Sequence, residues 1–218
     1  MSYETQIIEM FLKNGANPNF IVNDISPLHM AVLSENVKLV EMLLDNGADP
    51  NIIKNIEDET WDTTPLNLAC ERLNIPIIKL LLERGAIPND NDEETNLSWI
   101  FEDLETYEQK LDAIKLLLEH GYRLYKHDHQ IYNLKDDEIE IAKLLLQYIE
   151  DPNIKNKVLL NAALNDQPEM VRLLLDNGAD PNTIDRWLPY KSLHNTPLIH
   201  SIENENLPMM ILLLDRGA

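Results

Sequence analysis

Basic residues are scarce in this chain. Lysine and arginine together number 18 against 38 aspartates and glutamates, which gives a formal net charge of −20. Proteins that bind nucleic acid or an anionic membrane through charge rely on Lys and Arg to neutralise phosphate groups. The charge balance therefore argues against nucleic acid and against a membrane surface as partners.

Cysteine and long apolar runs are also lacking. Cys70 is the only cysteine, so the chain can form no intrachain disulfide and no cysteine-rich zinc site. No apolar run approaches the ~20 residues that a membrane-spanning helix needs. The start, Met1-Ser2-Tyr3-Glu4-Thr5, lacks the basic and apolar regions of a secretory signal. We expect a cytoplasmic protein.

Glycine is rare, and its few occurrences are regularly placed. Each glycine follows an apolar triplet, such as Met42-Leu43-Leu44, with two residues between them. This is where a helix ends in a left-handed residue that glycine adopts at low cost. A further triplet, Leu144-Leu145-Leu146, has Ile149 at the glycine position, and counting it gives a period of about 33 residues. The glycines are Gly15, Gly47, Gly85, Gly121, Gly178 and Gly217.

Most prolines follow the same register. Four lie three residues after a glycine, and three others directly follow Ser26, Thr64 or Thr196, which are candidate N-caps. Each unit reads as a short helix, a tight turn, a longer helix and a polar loop. Because one such unit cannot bury its apolar faces alone, the pattern predicts stacked repeats.

The motifs in these units resemble the ankyrin repeat. The segments Ser26-Pro27-Leu28-His29-Met30-Ala31 and Leu43-Leu44-Asp45-Asn46-Gly47-Ala48-Asp49-Pro50-Asn51 match the two halves of the family pattern closely, and others match along the chain. The resemblance implies an all-α ankyrin-repeat solenoid of stacked helix-turn-helix units with projecting loops. It also implies that His29 is a structural hydrogen-bonding group between repeats.

The register divides the chain into units. We expect an N-terminal capping helix and loop at 1–25, then about six repeats over 26–218 in a single elongated domain. The third and fourth repeats are degenerate, since one carries an acidic insertion and the other has a poor first helix and no glycine. The last repeat ends in an apolar helix, so we expect the natural protein to continue past Ala218. The repeats are placed at 26–51, 64–89, 95–124, 129–153, 157–182 and 196–218.

The resemblance implies a protein-interaction module without catalysis. Partners of ankyrin arrays dock on the concave face, at the loop tips and the exposed positions of the first helices. We therefore expect a protein partner, a monomer, and no catalytic residue, cofactor or metal site. The expected partner-binding residues are Leu33, Glu71, Arg72, Glu102, Asp103 and Asn165 on helices and Trp61, Thr63, Asp92, Arg186, Trp187 and Tyr190 on loops.

Two features leave alternatives open. Trp61 and Trp187 are either interface anchors or covers for their own loops. The stretch from Asp90 to Asp112 has nine acids and one base, so it either steers a partner with a basic surface or serves as a solubilising surface, which is the commoner role of charge runs.

Other sites are weighed and set aside. A calcium loop starting at Asp90 fails because Thr95 and Phe101 stand where glycine and glutamate are required. The histidines at 120, 127 and 129 offer a weaker case for a transition metal than for a contact surface. Cys70 is expected to be a buried, inert thiol.

Two broader roles remain as expectations. The chain is either a binding module without catalysis or the substrate-recruiting or regulatory segment of a larger enzyme or ubiquitin-ligase adaptor whose other domain lies beyond Ala218. A composition rich in Asn, Ile, Lys and Glu suggests an AT-rich genome. Ankyrin proteins of such organisms include bacterial effectors and viral host-range factors, so a host-directed effector delivered into a host cell is a further expectation.

Overall fold

Helices make up the fold wherever the structure describes the chain. The computed structural model describes residues 3–23, 25–53, 63–88, 96–102, 107–124, 129–184 and 195–218. These residues contain no strand, and Val22 and Ile25 form an isolated β-bridge. The all-α prediction is confirmed. The α-helices are α1 Tyr3–Lys13, α2 Pro27–Leu33, α3 Val37–Asp45, α4 Pro65–Glu71, α5 Ile75–Glu83, α6 Asn96–Glu102, α7 Tyr107–Glu119, α8 Ile139–Leu146, α9 Pro152–Leu164, α10 Pro168–Asp176, α11 Pro197–Glu203 and α12 Leu207–Asp215.

The helices form two compact units, Met1–Arg123 and Leu124–Ala218. In the first unit, α2, α4 and α6 pack side by side as an inner row, while α1, α3, α5 and α7 form an outer row. In the second unit, the inner row is a 3₁₀ helix His129–Asn133, α9 and α11, and the outer row is α8, α10 and α12. A second 3₁₀ helix, Asp136–Glu138, leads into α8.

Hydroxyl side chains start three of the inner helices, as the sequence predicts. Ser26 accepts a hydrogen bond from the backbone N–H of His29 at 3.3 Å, and a proline occupies the first turn of α2. Thr64 and Thr196 cap α4 and α11 in the same way. Each cap satisfies a backbone donor that the first turn of a helix leaves unpaired.

Asparagine starts three of the outer helices, a role that the repeat pattern in the sequence does not indicate. Asn36 caps α3 by accepting from the N–H of Leu39 at 3.1 Å. Asn74 and Asn206 do the same for α5 and α12. An asparagine side chain can accept a hydrogen bond in one turn and donate one in another. Its role at a given position is therefore difficult to assign from sequence alone.

All six glycines end a helix in the left-handed conformation, with φ between 83° and 93°. At Gly47 a Cβ would meet nothing within 4 Å, so the backbone conformation alone calls for glycine there. The predicted role of these residues as helix terminators is confirmed.

In four repeats whose turns the structure describes, the tight turn between the two helices also contains a left-handed residue, and none of the four is glycine. Glu35 has φ 53° and Leu73 has φ 45°, and Asp166 and Glu205 take the same place in later repeats. A residue with a Cβ pays roughly 1–2 kcal/mol for this conformation. The turns are therefore strained in four repeats.

The fourth repeat ends differently because Ile149 replaces the glycine. Helix α8 stops at Leu146, and Ile149 turns inward to become 5% exposed, as buried as Ala179, which follows a glycine in the next repeat. Asp151 then caps α9 directly, accepting from the N–H of Asn153 at 2.9 Å. Helix α9 therefore runs through the stretch between the fourth and fifth predicted repeats, and no loop projects there.

A residue of the degenerate repeat caps the next one. Gln167 makes no side-chain cap for α10, where other repeats have asparagine. Instead, the Oδ1 of Asp136 accepts from the N–H of Met170 at 2.8 Å, across 34 positions of sequence. Asp136 of the fourth repeat thus accepts from a backbone donor that the first turn of α10 would leave unpaired. The irregular fourth repeat therefore still supports the regular fifth repeat.

Replacing Glu35 with glycine should stabilise the protein. The side chain is exposed and the residue is left-handed, so glycine relieves backbone strain at little cost in packing. We expect Glu35→Gly to raise the free energy of unfolding by about 0.5–1 kcal/mol over Glu35→Ala, which removes the same charge but keeps the Cβ. Urea titration of both variants measures the difference in their free energies of unfolding. Equal values would show that the backbone at position 35 is not strained.

Candidate functional site

The inner row of the first unit is linked by buried hydrogen bonds. His29 is completely buried, and its Nδ1 lies 2.8 Å from the Oγ of Ser26. Its Nε2 lies 3.1 Å from the backbone oxygen of Thr63, at the start of the next repeat. The predicted structural role of His29 between repeats is confirmed. Its two hydrogen bonds hold α2 in place against the start of the next repeat.

In α4, an asparagine takes the place of that histidine. Thr64 donates its hydroxyl to the Oδ1 of Asn67 at 3.1 Å, and the Nδ2 of Asn96 in α6 donates to the same oxygen at 2.6 Å. Asn67 and Asn96 are both nearly inaccessible to solvent. The buried hydrogen bond between Asn67 and Asn96 favours one arrangement of α4 and α6. If one helix shifted along the other, both side chains would lose this hydrogen bond in the interior.

Asparagines also link the loops that follow the outer helices. The Nδ2 of Asn19 donates to the oxygen of Gly47 at 2.9 Å, and its Oδ1 accepts from the N–H of Asp49 at 2.7 Å. Asn51 forms the same pair of bonds with Gly85 and Ile87. We call this arrangement the asparagine clamp. In the second unit, Asn182 donates to Gly217 and Asn156 accepts from Asp180.

The predicted helix residues lie at equivalent places in successive repeats. Leu33 and Glu71 are the last residues of α2 and α4 and are half-buried, and Arg72 follows Glu71 as an exposed cap. Glu102 ends α6, which extends the series within the first unit. Asn165 is the exposed residue that follows α9 in the second unit. Whether these residues bind a partner stays a prediction.

The predicted loop residues fall mostly outside the described residues. Thr63 is described and half-buried, and its carbonyl oxygen meets the ring of His29. The other predicted loop residues, and the predicted helix residue Asp103, lie outside the described residues; these loop residues are Trp61, Asp92, Arg186, Trp187 and Tyr190.

An exposed group of apolar residues in the first loop was missed. Phe20, Ile21 and Val22 are each more than 50% exposed, and Met30 in the following helix α2 is 55% exposed. The Val22–Ile25 bridge orders this loop. Single exposed apolar residues are common, but three in succession on an ordered loop are unusual. We call these four residues the apolar patch, and the signal of its first three members in the sequence was their consecutive run in a polar loop.

The titratable groups give no sign of a reactive site in the part of the chain that the structure describes. Cys70 is completely buried, and burial raises the pKa of its thiol far above the usual range. The thiol therefore stays protonated and is a poor nucleophile. No group of three His, Cys, Asp or Glu residues that could hold a metal ion occurs among the described residues, and His127 lies outside them. None of the described helices is long and apolar enough to cross a membrane.

The buried thiol predicts slow labelling of Cys70. In the native protein, we expect an aromatic disulfide reagent to react with Cys70 at least a hundredfold more slowly than in concentrated urea, by a rough estimate from the cost of opening a core. Raising the pH should accelerate the native reaction as it does in urea, because labelling proceeds through opened states in which the thiol is exposed and ionises normally. Rapid native labelling, followed by the absorbance of the released thiolate, would show that Cys70 is accessible.

Two family models match the chain. A model of three ankyrin repeats matches residues 106–185 and 129–218, and a model of many ankyrin repeats matches residues 28–82. No curated protein matches the chain. Ankyrin repeats are generally protein–protein interaction modules and are typically non-catalytic. With the paired helices, left-handed glycines and buried His29 described above, these matches show that the chain belongs to the ankyrin-repeat family.

Proposed function

We propose that this chain is a non-catalytic binding module whose partner protein docks on the first loop and the exposed ends of the inner helices in the first unit. The observation that carries the proposal is the apolar patch. Phe20, Ile21, Val22 and Met30 each expose more than half of an apolar side chain, which water disfavours and a partner would cover.

Burial of this patch would supply the main driving force. Covering one exposed large apolar side chain completely is worth about 1.5–3 kcal/mol, and part of that gain offsets the entropy lost on association. Phe20 and Ile21 are large apolar side chains that are each more than half exposed, so they would contribute much of this burial. The polar residues at the helix ends, Ser34 and Arg72, would then set the orientation of the partner rather than most of the affinity.

The inner row supports this surface because it is already ordered. The hydrogen bonds from His29 to Ser26 and to Thr63 hold α2 against the following repeat. The asparagine clamp of Asn19 holds the base of the first loop. A pre-organised surface loses little conformational entropy when a partner binds, which favours tight association for a given contact area.

The charge of the chain supports a partner with a basic surface. Acids exceed bases by 20, so a basic protein approaching the chain is attracted over a distance of about one Debye length, roughly 8–10 Å at physiological salt. Steering of this kind raises the association rate more than the affinity of the final complex.

Charged substitutions in the apolar patch should weaken binding. The partner would be isolated by affinity capture on the chain and its affinity measured by calorimetry. We expect Ile21→Glu and Met30→Glu to raise the dissociation constant by about tenfold or more, because each puts a carboxylate into the buried centre of the interface.

The matched control is Met10→Glu. Met10 is 56% exposed on α1 of the outer row, so this variant makes the same charge change outside the four residues of the patch and should bind with nearly unchanged affinity. Equal losses in all three variants, or no loss in the patch variants, would refute the proposed surface.

Ionic strength tests the steering separately. Raising salt should slow association with the partner several-fold while dissociation changes little, an order-of-magnitude expectation for steered pairs. Stopped-flow or surface-based kinetics give both rates. A complex whose association rate does not respond to salt would rule out a role for the acidic surface while leaving the apolar patch intact.

A further inference from the structure

The same tripeptide, Asn-Gly-Ala, ends three outer helices. It occurs at 14–16 after α1, at 46–48 after α3 and at 177–179 after α10. Asparagine followed by glycine is the sequence most prone to spontaneous loss of the side-chain amide, because glycine has no Cβ to hinder the approach of its own backbone nitrogen. The three copies share their intrinsic chemistry, so any difference in their reactivity must come from the fold.

The reaction needs no reagent other than water. The backbone nitrogen of glycine loses its proton to solvent and attacks the Cγ of asparagine. A new C–N bond closes a five-membered imide, the Cγ–Nδ2 bond breaks, and ammonia leaves with a proton from solvent. Water then opens the imide at either carbonyl, which gives aspartate or isoaspartate.

The helix ends protect all three copies in the same way. The Nδ2 of Asn14 donates to the oxygen of Met10 at 2.7 Å, and the corresponding bonds of Asn46 and Asn177 are both 2.8 Å. Each glycine N–H donates to a carbonyl three residues earlier, at 3.0–3.1 Å. Because both reacting groups are engaged, the reaction must wait for the helix end to open, and its rate follows the opening equilibrium.

Side chains from other parts of the chain restrain two of the copies. The Asn19 clamp binds Gly47 and Asp49, which fixes the loop after Asn46. In the second unit, Lys155 donates to the oxygen of Asn177 at 3.4 Å and Asn156 accepts from Asp180 at 2.8 Å. Among the described residues, no side chain from a neighbouring repeat bonds to residues 14–16 in this way.

Packing differs in the same direction. Phe11 and Leu43 occupy equivalent places in α1 and α3, but Phe11 is 57% exposed and Leu43 is 1% exposed. Leu174, the equivalent residue of α10, is also 1% exposed. Helix α1 packs mainly against α3, whereas α3 and α10 each have an outer-row neighbour on both sides. Opening the end of α1 therefore disrupts less burial.

We propose that Asn14 is a site of spontaneous deamidation in the native protein, while Asn46 and Asn177 are protected by contacts with neighbouring helices and loops. The product carries a carboxylate where Nδ2 donated to Met10, next to the negative end of the α1 dipole, and both changes weaken the last turn. This turn leads directly to Asn19 and Phe20, so the modification acts on the base of the apolar patch. The assignment of Asn14 does not depend on the proposed binding function.

Peptide mapping by mass spectrometry tests the assignment. The intact native chain would be held at physiological temperature and mildly alkaline pH, and aspartate plus isoaspartate would be measured at all three positions over time. We expect conversion at Asn14 to be about tenfold faster or more than at Asn46 and Asn177. In concentrated urea, where the fold is lost, the three positions should convert at similar rates.

Two variants make the test specific. Asn19→Ala removes the clamp from the loop after Asn46, so conversion at Asn46 should rise several-fold relative to Asn177. Asn182→Ala is the matched control, because it removes a clamp that holds Gly217 and should leave the rate at Asn46 unchanged. Equal native rates at the three positions, or faster conversion at Asn46 or Asn177 than at Asn14, would overturn the proposal.

Discussion

The helices of this protein depend on the burial of apolar side chains that a single repeat cannot cover by itself. An outer helix such as α5 is apolar on more than one face, and Ile77, Ile78 and Leu81 reach complete burial only because neighbouring helices cover them. The stabilising free energy therefore resides in the contacts between adjacent repeats as much as within them. Exposed ion pairs between outer helices, such as Arg84 with Asp45, add little because solvent screens them.

The degenerate repeat shows how much irregularity this arrangement tolerates. Ile149 fills the space of a small residue, α9 starts without an intervening loop, and Asp136 replaces a missing cap. A small apolar cavity remains beside these changes, lined in part by Ile131 and Ala142. The repeat keeps its place because its neighbours still find apolar contact and hydrogen-bond partners on it, even though its own first helix is only a short 3₁₀ turn.

The sequence predicts features whose chemistry is local. A hydroxyl residue before proline reaches the first free N–H of its own helix, and a glycine after an apolar triplet supplies the left-handed end, so Ser26 and Gly47 could be assigned without coordinates. The role of His29 followed from the family pattern. Features that depend on distant residues were not predictable, as with Asp136, whose partner lies 34 positions away.

Exposure was the hardest property to predict. The same apolar residue type is buried at Leu43 and exposed at Phe11, since burial depends on which helix lies alongside. For the candidate surface, position in the repeat identified Leu33, Glu71, Arg72 and Asn165, but the apolar residues of the first loop have no equivalent in the repeat pattern. Their importance becomes visible only when their exposed area is known.

The asparagine clamp has a consequence for how such a protein can change over generations. Each carboxamide contacts only main-chain atoms of the following repeat, an oxygen and an N–H that every amino acid except proline can present. This connection between repeats therefore does not depend on the identity of the side chains around it. Substitutions can accumulate on the surfaces that meet other molecules, and whole repeats can be duplicated or exchanged, while the connection between neighbours is preserved by a single asparagine.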